Sequence, residues 1–217
     1  MKKRLFWSAL ALFVSLFSLS AQAADYQEGV QYAAVTPPQP TAVADGKIEV
    51  VEMFWYGCPH CYDFEPYLEE WLKHKPANVE FVRIPAIFGS KLWRLHATAY
   101  YTAEVLGVLD KTHEALFNAI HKQHLRIDTE DALADFYAKY GVDKKAFHDA
   151  FNSFTVQAKV RRAEDLTRRY GLSGVPTMIV NGKYRTDGPM AQSYEGVLNV
   201  VNYLIERESH PTQTATK

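Results

Sequence analysis

Between two strand-forming segments, Val79 to Ile84 and Val175 to Val180, this chain has a long stretch with no strand pattern. From about Ser90 to Tyr170 the apolar residues recur at helical spacing instead, as in Leu116, Phe117 and Ile120 or Leu133, Phe136, Tyr137 and Tyr140. Gly107, Gly141 and Gly171 stand where C-caps close helices, and Asp128 or Thr129 is placed to cap a start. A stretch of roughly eighty residues is far too long for a loop in a compact domain. It predicts a helical subdomain set into an α/β frame.

That frame opens with Ile48 to Phe54, whose branched and aromatic residues predict a strand. Tyr56-Gly57 turns the chain into Cys58-Pro59-His60-Cys61, and a helix is expected from there to about Lys73. Pro59 is tolerated because a first-turn residue needs no amide donor, whereas Pro66 lies inside the pattern and predicts a kink. With Val79 to Ile84 this makes a βαβ unit with the cysteines at the start of its helix. After the helical stretch, Val175 to Val180 predicts a strand and Asn181-Gly182 a tight hairpin into Lys183-Tyr184-Arg185. Val197, Val200, Val201 and Leu204 form the stripe of a closing helix. Ahead of the frame, the prolines of Thr36-Pro37-Pro38-Gln39-Pro40 exclude helix and interior strand.

The N-terminus is an export leader by pattern. Lys2, Lys3 and Arg4 precede fifteen mostly apolar residues from Leu5 to Leu19, and Ala21-Gln22-Ala23 supplies a cleavage site. The run is short for a spanning helix and no basic flank follows it, so cleavage after Ala23 is expected rather than an uncleaved anchor. Cleavage removes three positive charges and moves the formal net charge from −1 to −4, which gives no case for nucleic acid as a partner. The expected divisions are 1–23 as signal peptide, 24–88 and 171–208 as the two parts of the α/β domain, 89–170 as the inserted helical domain, and 209–217 as a polar tail.

Only two cysteines are present, Cys58 and Cys61. Two are too few for a disulfide scaffold or a four-cysteine zinc site, so their role is chemical. At i and i+3 on one helical face they are close enough to form a disulfide. Cys58, at the helix N-terminus with its free amides and positive dipole end, is expected to be the exposed, acidic nucleophile. His60 adds a cationic neighbour or a donor, and Cys61 is the more buried resolving thiol. Half of a zinc site has the same spacing. His121 and His124 could complete it, but they lie beside the stripe Leu116, Phe117, Ile120 and are expected to be packed or half-buried histidines. His96 and His113 are read the same way, and no metal is expected. Glu52 shares a strand face with Ile48, Val50 and Phe54. Period-two arithmetic puts its carboxyl among apolar side chains beneath the helix, unless it faces solvent at an edge. Buried, it would have a raised pKa and serve to move the Cys61 proton.

Cys58-Pro59-His60-Cys61, the preceding Phe54-Trp55-Tyr56-Gly57, and Gly174-Val175-Pro176-Thr177 followed by the Asn181-Gly182 hairpin resemble the DsbA family of thiol:disulfide oxidases. The resemblance covers nearly all of the chain after the leader, and departs from the best-known members in the Pro-rich N-terminal segment and around Pro85 to Gly89. It implies a thioredoxin fold with an inserted all-helical domain. It also implies a cis Pro176 facing the cysteines, with Val175 offering backbone hydrogen bonds to an extended substrate. Glu65 matches a second family acid that modulates the thiol pair, although a solvated helix glutamate explains it as well.

The resemblance implies a monomer in the periplasm that donates the Cys58–Cys61 disulfide to reduced, unfolded exported proteins. It needs no cofactor beyond that redox-active disulfide, and a quinone-linked membrane protein resembling DsbB reoxidises it. Stabilising the Cys58 thiolate favours the reduced enzyme, which makes the disulfide the stronger oxidant. The alternatives are a disulfide isomerase or reductase of the same compartment, and a metal-binding or chaperone-like binding protein on the same fold.

Overall fold

A computed structural model describes residues 26–210, so the leader read at 1–23 and most of the tail lie outside the described residues. In chain order the elements are β1 (Ala33–Ala34), β2 (Ile48–Phe54), α1 (Pro59–His74), β3 (Val79–Pro85), α2 (Lys91–Val105), α3 (Leu109–His121), α4 (Glu130–Ala138), α5 (Lys144–Phe151), α6 (Phe154–Arg169), β4 (Thr177–Val180), β5 (Tyr184–Asp187), α7 (Gly188–Ala191) and α8 (Tyr194–Ser209). The five strands form one mixed sheet in the order β1-β5-β4-β2-β3. Strand β2 runs parallel to β3 and antiparallel to β4.

The central place of β2 explains why it is buried at every position, on both faces. On one face Val50 and Ile48 pack with Phe64, Leu68 and Trp71 of α1 and with Val200, Val201 and Leu204 of α8. On the other, Val51 and Met53 meet Ile179 and Tyr170. The third core lies within α2–α6, where Leu116, Phe117, Leu133, Tyr137 and Phe147 pack together; it reaches the sheet through Phe54, Tyr56 and the cysteines. The redox motif therefore sits where the helical block meets the sheet.

Local chemistry sets the helix ends. The side chains of Thr129, Asp143, Ser153 and Ser193 each accept a backbone amide from the first turn of their helices. Helix α1 continues through Pro66 to His74. At the β4–β5 turn both Asn181 and Gly182 have positive φ, as a two-residue hairpin requires. Two details differ from the sequence expectation. Strand β4 begins at Thr177, because the chain ahead of it forms the loop with the cis Val175–Pro176 peptide. The opening segment also contributes a strand: β1 pairs antiparallel with β5 at the edge of the sheet, where its neighbouring prolines do no harm. Among the described residues, no helix is long and apolar enough to cross a membrane.

Candidate active site

Cys58 is the N-cap residue of α1, and its amide donates to the Trp55 carbonyl at 3.0 Å, closing the turn between β2 and the helix. Gly57 makes that turn possible, since a Cβ there would come within 2.4 Å of the Trp55 indole. The indole is itself held by stacking on Trp93 of α2, with ring centroids 4.2 Å apart. Both cysteines are thiols in this structure. The Cys58 sulfur faces the Val175 carbonyl oxygen at 3.4 Å, so the cis-proline loop lies directly against the thiol pair.

Cys58 is the more accessible of the two, but at 8% exposure against 0% for Cys61 it is far less open than the sequence suggested. The Val175 loop, invisible to local sequence reasoning, covers it. The Cys58 thiol is nevertheless acidic, with its pKa drawn down to about 6. Hydrogen bonding from Cys61 is the largest cause; the amides of Cys61 and His60 and the charge of His60 add to it, against the opposing cost of burial. Cys61 moves the other way, pushed well up by burial first and then by its neighbours Cys58 and Glu52. His60 and Pro59 are exposed at the helix tip, and the His60 ring lies 3.5 Å from the Tyr194 hydroxyl.

Beneath the thiols lies a buried charge cluster. Glu52 on β2 stands opposite Arg83 on β3, and Arg83 Nε donates to Glu52 Oε2 at 3.1 Å. The same guanidinium donates to Glu65 at 3.1 Å and to Glu69 at 2.7 Å, both from α1. Glu52 is therefore the buried acid that its strand position predicted, with no exposure at all, and Glu65 is buried rather than solvated. Burial and then the nearby Glu65 charge raise the Glu52 pKa to about 8, against the pull of Arg83. Burial also opposes ionisation of Glu65, but His113 and Arg83 outweigh it and hold that carboxyl below the ordinary range.

The histidines sort themselves by contact. His121 Nε2 meets the Tyr56 carbonyl at 2.7 Å and its ring stacks on Tyr62, a packed histidine as expected. His124 departs from expectation, being exposed at a left-handed φ of 54° where its helix has ended. His96 is buried with Nε2 at 2.9 Å from the Ile127 carbonyl. None of the three approaches the cysteines as a ligand. Among the described residues no cluster of three or more His, Cys, Asp or Glu side chains is arranged to hold a metal ion. His113 is more than a packed core residue, because it reaches Tyr56 and Glu65. Sequence reasoning missed it, along with Arg83 and Tyr56, since each joins the site through pairing across distant elements.

A cavity of about 680 Å³ opens beside the thiols, lined by His60, Val175, Pro176, Pro189 and Tyr194 among others. Its lining mixes the apolar Val175, Pro176, Pro189 and Tyr194 with polar Ser173, Asp187, Gln192 and Glu195, which suits an extended peptide.

A family model for the DSBA-like thioredoxin domain matches residues 82–201. The thiol:disulfide interchange protein DsbA of Pseudomonas aeruginosa is 46% identical over 206 residues, which is 95% of this chain and 97% of that one.

The chain belongs to the DsbA family.

The DsbA of Burkholderia cepacia is 41% identical over 207 residues, covering 95% and 97% of the two chains. Among solved structures, Pseudomonas aeruginosa DsbA superposes with a TM-score of 0.81 at 45% identity, covering 88% of this chain and 99% of that one. The DsbA oxidoreductase of Xylella fastidiosa gives 0.79 at 38% identity, covering 84% and 97%. The fold is therefore the DsbA-like thioredoxin fold, with the helical block α2–α6 inserted between β3 and β4. As a member of this family, the chain is a thiol:disulfide oxidoreductase acting as a dithiol oxidase.

Proposed function

We propose that the chain oxidises reduced, unfolded exported proteins through the Cys58–Cys61 disulfide. A substrate thiolate attacks the Cys58 sulfur, the Cys58–Cys61 bond breaks, and Cys61 leaves. Its high thiol pKa makes it a poor leaving group unless protonated, and Glu52, still carrying its proton near neutral pH, supplies one. A second substrate thiolate then attacks the substrate sulfur of the mixed disulfide. Cys58 departs as a stable thiolate, the substrate has lost two electrons, and the enzyme holds a dithiol. The Cys58–Cys61 pair at the head of α1, with the Val175 carbonyl 3.4 Å from the Cys58 sulfur, is the observation that carries this reading; the lowered Cys58 pKa agrees with it, because it favours the reduced enzyme and therefore donation of the disulfide.

Reoxidation runs the exchange in reverse. The Cys58 thiolate attacks the disulfide of a quinone-linked membrane protein resembling DsbB, and Cys61, giving its proton to Glu52 in the ionised form that is the minority species below pH 8, closes the intramolecular bond. The thiol pair is the redox group, with no cofactor or metal besides it. Pro59 and His60 tune the pair, Glu65 modulates it through Arg83, and Val175 and Pro176 hold the substrate backbone. Residues 89–170 act as a helical domain inserted between 24–88 and 171–208, while the groove beside the thiols is walled by the Val175 loop, α7 and the start of α8. The mature chain begins after Ala23 and works in the periplasm as a monomer. A Cys61→Ala variant expressed in the periplasm should trap exported proteins and the membrane oxidant as mixed disulfides on Cys58. Equilibration with glutathione should give an oxidising potential, and a potential as reducing as that of thioredoxin would overturn the oxidase reading.

A further inference from the structure

The buried cluster contains three polar atoms without a hydrogen-bond partner: Glu52 Oε1, Glu65 Oε1 and His113 Nε2. Two of them face each other, since His113 Nε2 lies 3.6 Å from Glu65 Oε1. The opposite ring nitrogen, Nδ1, is 2.8 Å from the Tyr56 hydroxyl. That contact fixes the proton on the imidazole. Buried Tyr56 keeps its phenolic proton, and His113 Nδ1 is the one partner of that hydroxyl among the described residues, so satisfying the proton makes the hydroxyl the donor and Nδ1 the acceptor. The ring, neutral through burial, must then carry its own proton on Nε2, aimed at the Glu65 carboxylate. The reverse tautomer would set a lone pair against a carboxylate oxygen.

The charged or titratable groups that act on or pack against this ring are Tyr56 from the turn, Arg83 from β3, Glu65 and Glu69 from α1 and Tyr100 from α2, with Asp110 and Glu114 of its own helix lining the same cavity and Glu52 bonded to the shared Arg83. One guanidinium serves three carboxylates. Glu69 is half exposed and hydrated, so the competition is between Glu52 and Glu65. Glu65 alone has a second N–H beside it. Glu52 Oε1 is buried with nothing to accept from, which is the environment of a protonated oxygen.

We propose that His113, supplied by the helical block, is a positioning residue for the thiol chemistry: its Tyr56-fixed tautomer holds Glu65 as the carboxylate, so that Glu52 is the acid carrying the exchangeable proton beneath Cys61. The proposal rests on the proton-carrier role of Glu52. It assigns the helical domain a part in the redox site.

Carboxyl-carbon NMR of the full mature protein, with resonances assigned through Glu52→Gln and Glu65→Gln, tests it. In the native protein Glu52 should titrate well above Glu65. His113→Leu, which keeps the volume and removes both polar atoms, should narrow the ratio of their proton affinities by at least about tenfold. His113→Gln, with an amide oxygen for Tyr56 and an N–H for Glu65, should restore it, which a purely packing role would not predict. An unchanged ratio in a folded His113→Leu protein overturns the proposal. Should that variant not fold, ring-nitrogen NMR of the native protein decides: a ring protonated on Nδ1, or charged at neutral pH, overturns it, and a neutral ring protonated on Nε2 supports it. Resolution kinetics unaltered in Glu52→Gln would refute the proton-carrier role by itself, while the titration ratio still decides the assignment to His113.

Discussion

The sulfur of Cys58 and the carbonyl oxygen of Val175 lie 3.4 Å apart, although 117 residues separate them in the chain. Strand β2 delivers the first to the head of α1, and the loop entering β4 delivers the second. In the function proposed above, a substrate sulfur bonded to Cys58 would pass beside this backbone carbonyl, which would align the peptide before any side chain is read.

The reactivity of Cys58 should follow its ionisation. Alkylation of the reduced protein should rise through a midpoint near pH 6, with Cys61 inert over the same range. The lowered pKa stabilises the folded dithiol form most at pH values above the ordinary thiol range, and this stabilisation is lost as pH falls through about 6. Discounted for solvent, it contributes about 1 kcal/mol at pH 7, or about 20 mV of oxidising power. His60→Ala should raise the midpoint by only part of the total shift, because the Cys61 hydrogen bond and the helix amides remain. Rates of alkylation against pH, and potentials against glutathione, provide the check.

Glu52→Gln should change the pH dependence of stability. A carboxyl raised to about 8 contributes most to stability below its unfolded pKa, and that contribution disappears as pH rises through 8. Between pH 5 and 9 the native protein should lose at least about 1 kcal/mol more stability than the Gln variant, the opposing Cys58 contribution being common to both. Urea unfolding at the two ends of that range measures the difference.

Phe117→Ala should cost about 3–5 kcal/mol, the range for a buried aromatic, because Phe117 is fully buried against Phe54 and Tyr56. Its packing joins α3 to the turn before Cys58. The thiol pKa should therefore move as well. Thermal unfolding and alkylation rates together test the link.

Gly182→Ala should destabilise by more than about 2 kcal/mol. Its φ of +64° disfavours any side chain, and an added Cβ would lie 2.1 Å from the Gln39 carbonyl oxygen. The damage should reach the N-terminal segment, seen as faster proteolysis around residues 36–40.

Much of this architecture was legible where the signal is local. The bounds of β2 follow from its composition, and the glycines at 107, 141 and 171 end their helices with φ of 68°, 86° and 63°. The Asn181-Gly182 turn is where its dipeptide put it. Glu65 could not be placed this way, since its burial depends on Arg83 arriving from β3. His113 could not be assigned either, because a helix cannot announce that its face meets a strand end some sixty residues earlier. The two-residue β1 carries no periodicity; it exists only because β5 offers a partner.

That small strand has a further consequence. A sheet edge with free amides and carbonyls invites any extended chain to add to it, and unfolded clients are such chains. Here Ala33 and Ala34 pair with Arg185 and Tyr184, and the Val35 amide takes the Lys183 carbonyl. The chain then runs into Pro37, Pro38 and Pro40, which offer no donors. The opposite edge, β3, ends at Pro85 and presents Glu80 to solvent. Both margins therefore carry the short strand, prolines or outward charge that discourage edge-to-edge addition of an extended chain.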